Sequence, residues 1–144
     1  MAPRHVLVPL DGSPLADRAL VHALETYDCR TTVLNVVTPL DNSMSEGGIL
    51  DADEDREESA EDRAEAIIER GKRRAEEHGH TVETAVETGD PAETILDFAE
   101  STDVDHIVIG GHGGGRNGLV ARLLGTVATT VVSEATMTVT VVRD

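Results

Sequence analysis

A chain of 144 residues is long enough for one domain with a proper core and short for two, so residues 1–144 are expected to form a single domain. Twelve basic residues against 28 acidic ones leave a formal net charge of −16; a field of that sign repels nucleic acid and anionic membrane, and neither is an expected partner. Such acidity suits a protein that works in concentrated salt, where the Debye length is about 3 Å near 1 M, and the plainer alternative is an ordinary acidic cytosolic protein.

The N-terminus lacks the charged-then-apolar pattern of a secretory signal, and no apolar run approaches the ~18 residues of a membrane span, so the expected location is the cytoplasm. His5 to Leu10 (HVLVPL) is a short apolar run ending in DGSP, which reads as a strand, a turn and a helix start. Ser13 is a natural N-cap and Pro14 suits the first helical position, where its missing N–H has no partner to lose. Ala16, Ala19, Leu20, Ala23 and Leu24 recur at helical spacing and define one apolar face.

Cys29 is the only cysteine, so no intrachain disulfide forms, and its place after the helix suggests a buried or half-buried thiol without a redox role. Thr31 to Val37 (TTVLNVV) is β-branched and nearly apolar throughout, as a strand covered on both faces should be. Residues 38–51 carry turn formers and little periodicity, and read as a loop. From Ala52 to about His78 the chain is charged and helical, with a narrow stripe of Ala60, Ala64, Ile67, Ile68, Gly71 and Ala75. Acidic pairs at i,i+4 oppose one another at its start, so fraying is expected before Ser59.

His80 to Glu87 (HTVETAVE) alternates in polarity like an edge strand, and Asp90-Pro91-Ala92-Glu93 has the form of a capping box opening a helix. Asp105 to Gly110 (DHIVIG) is a fourth strand, a glycine-rich segment follows, and a helix from about Thr126 to Glu134 precedes a last strand, Met137 to Val142. Five strands alternating with helices through right-handed crossovers require an open, doubly wound α/β fold with a parallel sheet and helices on both faces. With the order 3-2-1-4-5 the topological switch falls between strands one and four, where ligands bind beyond the carboxyl ends.

Two segments end there. Asp11, in the DGS turn, is turn chemistry when taken alone, but at the end of a central strand its carboxylate is placed to accept from an exocyclic amine or a ribose hydroxyl. Residues 110–126 (GGHGGGRNGLVARLLGT) combine glycines, which let backbone N–H groups approach an anion, with a helix start, which supplies unpaired donors. No G-x-x-x-x-G-K-[ST] occurs, which excludes a P-loop. Arg116 and Arg122 stand in the same segment, equally ready to meet phosphate oxygens or surface acids. No Ser-His-Asp or Cys-His arrangement and no metal-ligand spacing to His112 is present; His5, His22, His78, His80 and His106 are scattered and read as structural or solvent-facing.

Taken together, VLVPLDGSPLADRALVHAL, TVLNVVTP, DHIVIGGHGGG, RNGLVARLLGTVATTVV and TVTVVR resemble a universal stress protein domain of the UspA type over essentially the whole chain. The resemblance implies a Rossmann-like fold of the adenine nucleotide alpha hydrolase kind. The family's nucleotide-binding branch carries G-x2-G-x9-G-[ST], and nine residues separate Gly115 from Gly125-Thr126, but His112 stands three before Gly115. Reading from Gly110 to Gly113 restores G-x2-G and leaves eleven residues before Gly125, so Gly114 and Gly115 look like a two-residue insertion.

Carried onto this chain, the family's adenine and ribose contacts fall on Pro9, Leu10, Asp11 and Val36, with Ile109 and Gly110 opposite. His112, Gly113 and Gly115 line the phosphate loop, and Gly125, Thr126 and Val127 offer backbone N–H groups and a hydroxyl. The implied function is a stress-response protein that binds ATP, or ADP or AMP, with Mg2+ on the phosphates near Thr126 or Asp11, and without rapid turnover. It further implies a homodimer through Met137 to Val142, a strand that would otherwise be a bare sheet edge. The competing readings are a dimeric interaction protein of the same fold that holds no nucleotide, and a slow ATPase or phosphotransferase in which His112 or Asp11 assists water.

Overall fold

The structure, a computed structural model, describes residues 2–39, 50–111 and 124–143, with side chains in the long second helix from Ser59 onward. In chain order the elements are β1 (His5–Pro9), α1 (Pro14–Thr26), β2 (Arg30–Val37), α2 (Leu50–Glu77), β3 (Glu83–Thr88), α3 (Pro91–Ser101), β4 (His106–Gly110), α4 (Thr126–Glu134) and β5 (Thr138–Val142). The five strands form one parallel sheet, as the alternation of strands and helices required, in the expected order β3-β2-β1-β4-β5.

The sheet divides the core by the two-residue period of its strands. Val6, Val8 and Leu10 point to one face and meet Ala16, Leu20 and Leu24 of α1 and Ile67, Ile68 and Ala75 of α2. Leu7 points to the other, where Leu34, Ile107 and Ile109 pack against Ile95 and Leu96 of α3 and Ala128 and Val131 of α4. The three inner strands are therefore apolar on both sides, whereas β3 at one edge is almost wholly exposed.

Local signals fix the element ends. The Ser13 hydroxyl accepts the Ala16 N–H at 3.2 Å with Pro14 next in line, and the Asp90 carboxylate accepts the Glu93 N–H at 3.1 Å ahead of Pro91. The second helix, expected from Ala52, begins two residues earlier, α2 running from Leu50 to Glu77.

Polar groups inside the sheet are paired. His5 joins Thr102 O at 3.0 Å and Thr32 Oγ1 at 2.8 Å, and His106 Nε2 lies 2.7 Å from Thr140 Oγ1, tying β4 to β5. The Cys29 thiol is half-buried, and its pKa is raised chiefly by that burial and then by Asp105 and Asp28, so it is no ready nucleophile.

Burial holds the His106 imidazole below its ordinary value near 6.5; His22 adds to the effect and Asp105 opposes it. A depressed pKa means that the folded chain resists the proton which the unfolded chain accepts. Stability is therefore complete above about 6.5 and is lost as the pH falls towards the folded-state pKa. Unfolding measured in urea between pH 5 and 7 should give a shallower pH dependence in His106→Gln than in the unaltered protein, and equal slopes would refute the assignment.

Candidate functional site

The carboxyl ends of β1, β2 and β4 converge on a cavity of about 300 Å³. β1 supplies Pro9 and continues into Leu10 and Asp11. Here the Leu10 N–H donates to Leu34 O at 2.8 Å and the buried Asn35 amide donates to Leu10 O at 2.8 Å, so the strand end is held from both backbone groups. The following turn closes on itself, because one Asp11 carboxylate oxygen accepts the Ser13 N–H at 2.9 Å. Gly12 sits at φ 86°, a left-handed conformation that a side chain would strain. Arg70 reaches across from α2 to donate to Gly12 O at 3.2 Å while standing 3.8 Å from Asp17.

The opposite wall comes from β4 and the helices of the second face. Ile109 and Gly110 end β4, and Gly110 lies so close to α1 that an added Cβ would stand 2.9 Å from the Leu15 carbonyl carbon and oxygen and 3.0 Å from the Ala16 nitrogen. Gly125 is the N-cap of α4, in extended conformation at φ −63° and ψ 159°, and no side chain caps the helix. Its first-turn N–H groups, on Thr126, Val127 and Ala128, accordingly lack the intrahelical partners that later residues have, and all three residues line the cavity.

Of the residues singled out in the sequence, Pro9, Leu10, Asp11, Val36, Ile109, Gly110, Gly125, Thr126 and Val127 all line this one cavity. His112, Gly113 and Gly115 lie outside the described residues, as do Gly114, Arg116 and Arg122. Sequence reasoning did not assign to the site Thr38 at the end of β2, Pro91 and Ile95 of α3, or Ser13, Ala16, Leu34 and Ala128, which also line it. The signal for Pro91 was its place just after β3, since every helix following a parallel strand starts at the same edge of the sheet.

Chemically the cavity combines apolar side chains, Leu34, Val36, Ile95 and Ile109 among them, with a few polar ones. Asp11 is the one ionisable side chain on its wall among the described residues, and Ser13, Thr38 and Thr126 add hydroxyls. Such a chamber accepts a flat apolar-faced group, offers a carboxylate to hydroxyl or amine donors, and presents a helix N-terminus to an anion. Among the described residues no cluster of histidine, cysteine or carboxylate side chains has the arrangement of a metal site.

The sequence profile of the universal stress protein family matches residues 3–143. A universal stress protein of Methanocaldococcus jannaschii is 31% identical over 145 residues, spanning 97% of this chain and 82% of the relative. Among solved structures, the hypothetical protein MJ0577 superposes with a TM-score of 0.77 at 26% identity, covering 98% of this chain and 96% of the other. A universal stress protein family member from Arabidopsis thaliana, solved with AMP bound, gives 0.70 at 22% identity over 99% and 93%.

Proposed function

The chain belongs to the universal stress protein family, and from that premise we propose that it holds an adenine nucleotide, ATP or its ADP or AMP relatives, in the cavity at the β1–β4 switch point, as a stress-response protein without rapid turnover. The observation that carries the reading is the coincidence of an apolar slot, the Asp11 carboxylate and the uncapped start of α4 in one chamber. The adenine ring lies between Val36 and Ile109 and the ribose hydroxyls meet Asp11. The phosphates lie against the N–H groups of Thr126 and Val127, where dipole and donors both favour negative charge. The AMP carried by the Arabidopsis thaliana neighbour has the same chemistry. A divalent cation such as Mg2+ would arrive on the phosphates, with the Thr126 hydroxyl and the Asp11 carboxylate as the protein groups at hand.

The reading extends to assembly and setting. Among the described residues β5 pairs with β4 alone, and its outer edge, half-buried from Val139 to Val142, takes a second copy of the chain to give a homodimer. The protein works in the cytoplasm, and the charge of −16 keeps it hydrated in concentrated salt.

Thermal unfolding with a nucleotide panel tests the central claim. A nucleotide at 100 times its Kd should add about 2.7 kcal/mol to the stability. Gly125→Val should abolish that gain while leaving the fold intact, since valine accepts the extended backbone found there. If no adenine nucleotide raises the melting temperature at millimolar concentration, the reading fails.

A further inference from the structure

A second cavity, of about 470 Å³, lies on the α2 side of the first, between the end of β2 and the α2 segment that carries Ser59, Arg63 and Ile67. Asp11, Val36 and Thr38 belong to the walls of both cavities, so the two chambers adjoin along that rim. The first is without a cation among the described residues, whereas the second has Arg63.

The Arg63 side chain shares with those of Arg4 and Arg73 the lack of a carboxylate partner among the described residues, and of these three it is the one on the wall of the second cavity. In this acid-rich chain Arg30 meets Glu83 at 2.7 Å, Arg70 meets Asp17 at 3.8 Å, Lys72 meets Glu69 at 3.6 Å and Arg74 meets Glu77 at 3.8 Å. Arg63 meets no carboxylate among the described residues. A guanidinium on a cavity wall, with its fork of donors uncommitted to any acid there, is suited to a phosphate more than to any other common group.

We propose that Arg63 and the second cavity receive a phosphate carried on the ribose 2′ or 3′ oxygen, so that the preferred ligand is a ribose-phosphorylated adenine nucleotide. The inference rests on the nucleotide reading above, because it is the 5′-phosphate at α4 and the sugar at Asp11 that turn the 2′,3′ edge of the ribose towards the shared rim. Asp11 opposes the second phosphate by like charge, which holds the preference to about tenfold, the scale of one charge-assisted hydrogen bond.

The experiment is titration calorimetry of the full chain and of Arg63→Gln with AMP, adenosine 2′,5′-bisphosphate and adenosine 3′,5′-bisphosphate. One bisphosphate should bind the unaltered protein about tenfold more tightly than AMP and lose that advantage in Arg63→Gln, while AMP binds both proteins alike. The isomer that shows the gain identifies the oxygen. If both bisphosphates bind no better than AMP, or if the gain survives in Arg63→Gln, the proposal is overturned and the nucleotide reading stands. If none of the three binds, both fall together. Arg63 is exposed on a helix and glutamine is a good helix former, so the variant folds.

Discussion

Gly110→Ala is expected to destabilise the protein by about 3 kcal/mol, a shift of roughly 6–12 °C in melting temperature. The added methyl would stand 2.9 Å from the carbonyl carbon and oxygen of Leu15, and both are backbone atoms that no rotamer change can move away. Relief requires α1 to shift away from the end of β4. The first turn of α1 carries Ser13 and Ala16, which line the first cavity, so the same shift deforms the proposed nucleotide site. Denaturant unfolding together with nucleotide titration would therefore show a double loss. A change below about 0.5 kcal/mol, the range of an ordinary surface substitution, would mean that α1 does not pack on Gly110 as described.

Leu20→Ala is expected to cost a similar amount, about 3 kcal/mol, by a different route. Leu20 is fully buried in the core between α1, α2 and the first face of the sheet, and truncation leaves a cavity that the surrounding strands and helices cannot close. It belongs to neither cavity wall, so its loss should lower the unfolding midpoint and leave nucleotide affinity at temperatures below the transition unchanged. A fall in affinity in Leu20→Ala comparable to that in Gly110→Ala would show that stability and binding do not separate in this fold.

The contrast between these residues shows how far the sequence was readable. Leu20 declared itself by helical spacing, and the turn Asp11-Gly12-Ser13-Pro14 declared itself by its chemistry, down to the cap on α1. The parallel sheet followed from the alternation of strands and helices, and the expected order 3-2-1-4-5, which the structure has, brought nine separated residues to one cavity. What was not legible depends on distance across the chain. Pro91 and Ile95 reach the cavity because α3 crosses the sheet, and Arg63 faces the second cavity because α2 turns that side towards β2; neither relation leaves a mark in local periodicity.

The central strand also sets a timetable. β1 leaves the ribosome well before one of its two flanking strands, β4, which begins about 100 residues later, and the His5 N–H finds the Asp105 carboxylate across a separation of 100 positions. At synthesis rates of about 5–20 residues per second, Leu7 and the apolar face around it wait roughly 5–20 s for burial. During that interval β1 and β2 can pair but keep one hydrophobic edge and one hydrophobic face bare, the combination that invites association with other nascent chains. The topology that assembles the cavity from distant segments thus makes the newly made β1–β2 segment a client for chaperones.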